Sequence, residues 1–243
     1  MTKTLLVTGA SRGIGLETVR RFLQEPAAGR GPEKGDVSRI VLVARDSDDY
    51  SEALADLEAH NPRGVTLSAY RADVGDRAAL VELIDEIAEN DGNIDYLVNN
   101  AGYTNPVALQ QVDFADFERT MSVNLYAPFT LVQQLLHRGN HFDLIVNIAS
   151  TAGIGGRSGW LTYSASKAAL INMSEVMREE LAIYGTRVVC ISPGRTATAL
   201  RRVLAPTEDP STIMQAGDVA AVIEMLASPV GRFVDSANLV VRQ

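Results

Sequence analysis

The stretch "TLLVTGASRGIGLETVRRFL", residues 4–23, joins an apolar run to a helix-period run across three glycines. Leu5, Leu6 and Val7 are apolar without alternation, as expected of a parallel strand covered on both faces. Gly9, Gly13 and Gly15 then stand where strand meets helix. A phosphate can approach the backbone closely at such a turn because no Cβ is in the way, and free N–H groups at the helix start favour an anion. Strand, glycine turn and helix in this order open the first βαβ unit of a dinucleotide-binding sheet.

The alternation continues outward from that unit. Runs at 4–8, 39–44, 65–70, 94–99, 143–149, 187–192 and 238–242 read as strands. Residues 13–24, 48–60, 76–90, 113–138, 161–184 and 216–227 carry helical spacing, with Leu80, Leu83, Ile84 and Ile87 on one face. This predicts an α/β fold, a Rossmann-like doubly wound sheet of about seven parallel strands flanked by helices on both faces. "EPAAGRGPEKGDV", 25–37, breaks the rhythm and is expected to be an exposed loop. With no repeat and no linker between two cores, residues 1–243 are expected to form a single dinucleotide-binding catalytic domain.

Lys and Arg total 22 against 30 Asp and Glu, a net charge of −8, which argues against attraction to nucleic acid or anionic lipid. No apolar window is long enough to span a membrane, and "MTKTLLVTGA" enters a strand directly without a signal-peptide pattern, so the expected location is cytoplasmic. The lone Cys190 in "RVVCIS" reads as a small buried hydrophobe. His60, His137 and His141 lack metal-ligand spacing, and no metal site is expected.

The spacing here is G-x3-G-x-G, and Thr8, Gly9, Gly13, Ile14 and Gly15 resemble the T-G-x3-G-x-G signature of the short-chain dehydrogenase/reductase family. The extended branch, with its epimerases and dehydratases, spaces its glycines differently. By this resemblance the turn, with Ser11, holds a nicotinamide dinucleotide. Arg12 in the turn and Arg45 after the second strand match positions that take the 2′-phosphate in NADP-preferring members, so NADP(H) is the expected cofactor. Asp46 follows, and NAD(H) use remains possible if Asp46 faces the ribose instead. Asp73 and Val74 resemble the adenine-contacting position, although Asp73 could equally cap the next helix. "NNAG" places Asn100, Ala101 and Gly102 beside the cofactor at the end of the fourth strand.

Tyr163 and Lys167 in "LTYSASKAAL" are four apart and share a helix face. A lysine ammonium about 5 Å from a phenolate, at an effective dielectric of about 20, stabilises it by about 3 kcal/mol, or about two pKa units before desolvation. Such pairs are common on helices; Ser150, at a strand end upstream, is what distinguishes this one. In the family it resembles, Ser150 would bond a substrate carbonyl, Tyr163 would move the proton, and Lys167 would bind the nicotinamide ribose and lower the tyrosine pKa. Asn124 would complete that set. Pro128, four residues later, has no N–H to offer the Asn124 carbonyl, which predicts a kink and a free carbonyl for a water relay to Lys167. "SPGRT" supplies Pro193 and Gly194 near the nicotinamide, with Thr196 or Thr198 near its carboxamide.

Arg195, Arg201 and Arg202 occupy the region in which the family places a substrate lid. They could hold a phosphate or carboxylate; solvated arginines on a short helix are the expectation. "RTAT-x-LR" also resembles members acting on sugar or polyol phosphates. Arg157 and Trp160 are expected at the pocket mouth, and Trp160 could equally be a packing residue. The implied activity is an NADP(H)-dependent oxidoreductase interconverting a ketone or aldehyde and an alcohol, with a small-molecule substrate. A catalytically silent NADP(H)-binding regulator is the alternative from another class. A homodimer or homotetramer is implied, although the glycine-rich finish usual after the last strand is absent from "NLVVRQ".

Overall fold

Leu5 and Val7 pack into one buried cluster and Leu6 into another, because successive side chains of a strand point to opposite faces. The structure, a computed structural model, describes residues 2–24, 37–234 and 236–243. In chain order β1 (Lys3–Thr8), α1 (Gly13–Leu23), β2 (Val37–Ala44), α2 (Asp48–Ala59), β3 (Thr66–Arg71), α3 (Arg77–Asp91) and β4 (Tyr96–Asn99) come first. Helix α4 (Phe114–Met121) runs through a π turn at Ser122–Tyr126 into α5 (Ala127–His137). Next come β5 (Leu144–Ile148), the short α6 (Thr151–Ile154), α7 (Leu161–Leu181), β6 (Arg187–Pro193), β7 (Thr196–Ala197) and α8 (Ala199–Leu204). The chain ends with β8 (Met214–Gln215), α9 (Ala216–Ala227) and β9 (Asn238–Val241).

The seven long strands form one wholly parallel sheet in the order β3-β2-β1-β4-β5-β6-β9. Helices α1, α2 and α9 cover one face through Phe22, Leu23, Leu57, Ile223 and Leu226. On the other face α3, α5 and α7 pack Leu80, Ile84, Leu131, Leu135 and Met177 onto Leu6, Val41 and Ile145. Strand order runs in opposite directions from β1 and β4, which opens a crevice at their carboxyl ends. Because every pair is parallel, all residues that follow the strands lie along that edge.

The loop expected over 25–37 falls outside the described residues except for Val37. That residue is buried and opens β2, pairing with Lys3. The short helix expected to carry Arg201 and Arg202 is α8; two features have no counterpart in the sequence reading, the two-residue β7–β8 pair and α6. Each is too short for a hydrophobic period to register. The long helix expected at 113–138 is present but interrupted. Ala127 donates its N–H to the carbonyl of Ser122, five residues back, so the break begins in a π turn ahead of Pro128. The kink therefore does not come from proline alone. Such turns recur where helices carry functional side chains, and this one contains Asn124.

Candidate active site

The glycine turn is a cradle that side chains would fill. Gly9 adopts φ +67°, a left-handed conformation that favours glycine, and a Cβ there would meet the Ala101 Cα at 2.9 Å. At Gly15 an added Cβ would collide with the Gly9 carbonyl. Asn100 ties this turn to β4: its Nδ2 donates to the carbonyls of Thr8 and Gly9 at 2.9 and 3.1 Å. The cleft above has a volume of about 650 Å³. It is lined by Gly9, Ser11, Arg12, Gly13, Ile14, Arg45, Asp73, Val74, Asn100, Ala101, Gly102, Ser150, Tyr163, Lys167, Pro193, Gly194, Thr196 and Thr198. Of the residues expected at the site, Gly15 and Asn124 do not reach it; they stand behind its wall. The glycines, the helix start and a cleft of this volume fit a dinucleotide.

At the β2 end of the cleft the charges are sorted by their partners. Asp46 is turned to Arg71, whose Nε donates at 2.6 Å while the guanidinium stacks over Tyr50. Arg12 meets Asp49 at 3.2 Å in an exposed pair of little energetic weight. Arg45 has no ion pair among the described residues and lines the cleft beside them. Asp73 is not the cap of α3; Asp76 fills that place, accepting from Ala78 and Ala79. Against the opposing effect of burial, the Gly75 N–H and the Arg119 guanidinium at 2.9 Å hold the Asp73 carboxyl below its usual range. Arg119, over the Tyr103 ring at 5.1 Å, is a cleft residue that sequence reasoning missed, because its partner Asp73 lies on a distant element.

Ser150, Tyr163 and Lys167 converge at the other end. Ser150 caps α6 by accepting from the Ala152 N–H at 3.1 Å, and its hydroxyl lies within hydrogen-bonding reach of Tyr163. Tyr163 and Lys167 are both buried. Lys167 Nζ donates to the Ile148 carbonyl at 2.7 Å and sits 5.9 Å from the tyrosine ring centre. Burial lowers the lysine pKa to about 8. Burial also raises the Tyr163 pKa, opposed by Ser150 and by the charge of Arg201. In this structure burial outweighs the lowering that the helical spacing suggested, and Lys167, itself desolvated, is bonded to the Ile148 carbonyl.

Asn124 is fully buried and its side chain is a brace. Oδ1 accepts from the Tyr103 N–H at 2.8 Å; Nδ2 donates to the Tyr103 carbonyl and to Ser166 Oγ, both at 2.9 Å. Ser166 in turn donates to the Tyr163 carbonyl at 2.8 Å. The π turn thereby locks the loop after β4 to the helix that carries Tyr163.

Two further residues were not legible from spacing. Gly153 lies so close to α7 that a Cβ would stand 2.7 Å from the Lys167 carbonyl carbon, so only glycine lets α6 set Ser150 against Tyr163. Gly153→Val is expected to lower turnover about tenfold and stability by about 1–3 kcal/mol through overpacking; steady-state kinetics and urea unfolding check both. The second is Arg201, expected among the solvated arginines. It is instead largely buried: Nε and Nη2 donate to Glu208 at 2.5 and 2.7 Å, and its guanidinium stacks over Trp160 at 5.6 Å. Trp160 lines the cleft and meets the Tyr163 ring edge-on at 6.4 Å. Cys190 is buried as expected, its thiol pushed up to about 11 by burial and therefore unreactive. No helix among the described residues is long and apolar enough to cross a membrane.

Comparison with known proteins agrees with this architecture. A family model described as short chain dehydrogenase matches residues 3–209. L-fucose dehydrogenase of Rattus norvegicus is 32% identical over 230 residues, 93% of this chain and 78% of that protein. A short chain dehydrogenase from Burkholderia cenocepacia, solved in complex with NADP, superposes with a TM-score of 0.82 at 28% identity, covering 98% of this chain and 96% of that one. A 4-hydroxyisoleucine dehydrogenase complexed with NADH gives a TM-score of 0.78 at 25% identity, covering 99% and 96%. The chain belongs to the short-chain dehydrogenase family and is an oxidoreductase of alcohol and carbonyl groups.

Proposed function

We propose that this protein is an NADP(H)-dependent carbonyl reductase, one catalytic domain in which Ser150, Tyr163 and Lys167 act on a ketone or aldehyde. The observation that carries this reading is the convergence of Ser150 and Tyr163, with Lys167 one turn on, in the same cleft that the glycine turn lines. A nicotinamide dinucleotide bound along the cleft supplies the hydride. Ser150 holds the substrate carbonyl oxygen and orients it toward Tyr163. Tyr163 delivers the proton to that oxygen. Tyr163 is protonated at neutral pH, as a proton donor must be, and Ser150 and the charge of Arg201 oppose the upward pull of burial on it. Lys167 anchors the ribose, with its ammonium 5.9 Å from the tyrosine ring centre; Asn124 keeps the loop after β4 in register with α7, and its carbonyl is the proposed start of a water relay to Lys167.

Solved relatives carry NADP in one case and NADH in another, so the preference rests on this chain's own residues. Arg45 makes no ion pair among the described residues and lines the cleft, while Asp46 is taken up by Arg71. A 2′-phosphate would meet one or two guanidiniums, whereas a 2′-hydroxyl would find no free carboxylate at Asp46. The wild type is expected to favour NADPH in kcat/KM. Arg45→Ala is expected to raise the KM for NADPH about 10- to 30-fold, the loss of one charge-assisted hydrogen bond, and to leave the KM for NADH within about twofold. A tenfold preference for NADH in the wild type contradicts the assignment.

A further inference from the structure

We infer that the carbonyl substrate carries an anionic group, a carboxylate or a phosphate, held by Arg157 and Arg201 beside Trp160. The inference deepens the proposed reductase and rests on the same site. Both guanidinium carbons lie 5.6 Å from the Trp160 ring centre, so they are no more than twice that distance apart. The same ring touches Tyr163, which places the pair next to the proton donor. Arg157 lines the cleft, and its side chain has no hydrogen bond or ion pair among the described residues. Arg201 gives Nε and Nη2 to Glu208, leaving Nη1 without a partner.

The charge balance of the cleft supports the same conclusion. Its carboxylates, Asp46, Asp49 and Asp73, stand at the dinucleotide end, each on its own arginine. At the substrate end Arg157, Arg195 and Arg201 line the cleft with no carboxylate among its lining residues there, and Glu208, outside the lining, bonds Arg201 and Arg195. A chain of net charge −8 thus gathers uncompensated positive charge beside its acid. Arg157 is exposed and its guanidinium rests on the Trp160 ring, which leaves its N–H groups open to a ligand entering the cleft. A planar fork with five donors beside a second free N–H group suits two oxygens of a carboxylate or phosphate.

The test compares matched carbonyl compounds with NADPH: pyruvate against pyruvamide, and dihydroxyacetone phosphate against dihydroxyacetone. At least one anionic member is expected to exceed its neutral partner about 30-fold or more in kcat/KM. The pair that discriminates tells carboxylate from phosphate. In Arg157→Gln, and more strongly in the Arg157→Gln/Arg201→Gln double variant, that ratio is expected to fall toward one, mainly through KM. Trp160 is the only tryptophan, so its fluorescence reads binding without turnover. With NADP+ bound, pyruvate or dihydroxyacetone phosphate is expected to change it saturably, and Arg157→Gln to abolish the change. Saturable anion binding without reduction of any compound upholds the subsite and overturns the reductase. Ratios below threefold in both pairs, with no anion-dependent fluorescence change, overturn the subsite even where neutral ketones are reduced.

Discussion

Tyr163→Phe is expected to lower kcat for carbonyl reduction about a thousandfold, within the 10²–10⁴ that a positioned acid contributes. The substitution removes one hydroxyl and nothing else. The ring keeps its edge contact with Trp160, Ser150 keeps its bond to Ala152, and the Ser166 brace bonds the Tyr163 backbone carbonyl rather than its side chain. Thermal stability and the dissociation constant for NADPH, read by nucleotide fluorescence, should therefore stay close to wild type. A loss confined to kcat identifies proton transfer; a loss in cofactor affinity alone would place Tyr163 in binding only.

Lys167→Met is expected to cost about a hundred- to a thousandfold in kcat/KM and, at neutral pH, to stabilise the fold. The sign follows from the lysine pKa of about 8, well under the ordinary value of 10.5. A lysine depressed on folding destabilises the native state. The full penalty is present below pH 8 and fades as pH rises toward 10.5, where the unfolded chain loses its proton too. Removing the cation should recover on the order of 2 to 3 kcal/mol at neutral pH, partly offset by the lost bond to Ile148. In the wild type the same group should set an alkaline limb, with kcat/KM for reduction falling as pH rises through about 8. Urea unfolding at pH 7 and a pH profile of the variant check the pair of effects. Lower stability together with an unshifted alkaline limb would remove Lys167 from the mechanism.

The five central strands are legible because both faces of the sheet are buried there, so Leu5, Leu6 and Val7 must all be apolar. The glycine turn is legible for a similar reason: Gly9 and Gly15 are required by backbone geometry that no other residue satisfies there. Ser150, Tyr163 and Lys167 are legible through spacing and through family resemblance. What escaped lies in contacts between elements distant in sequence. Arg119 finds Asp73, Gly153 finds α7, and Arg201 is drawn from solvent by Glu208 and Trp160. The orientation of Lys167 was not legible for a related reason. Helical spacing predicts that two side chains share a face, but burial and the Ile148 carbonyl decide where the ammonium points. The π turn at Ser122–Tyr126 was hidden because Pro128 alone suggested a simpler kink.

Hydride transfer is the central claim, and isotope transfer tests it most directly. NADPH deuterated at nicotinamide C4 is incubated with the protein and whichever carbonyl compound of the panel turns over fastest, in ordinary water. The expected result is deuterium on the carbinol carbon in step with NADPH consumed, at a rate that collapses in Tyr163→Phe. Solvent hydrogen on that carbon, or NADPH that binds and is never consumed with any carbonyl compound, would contradict it.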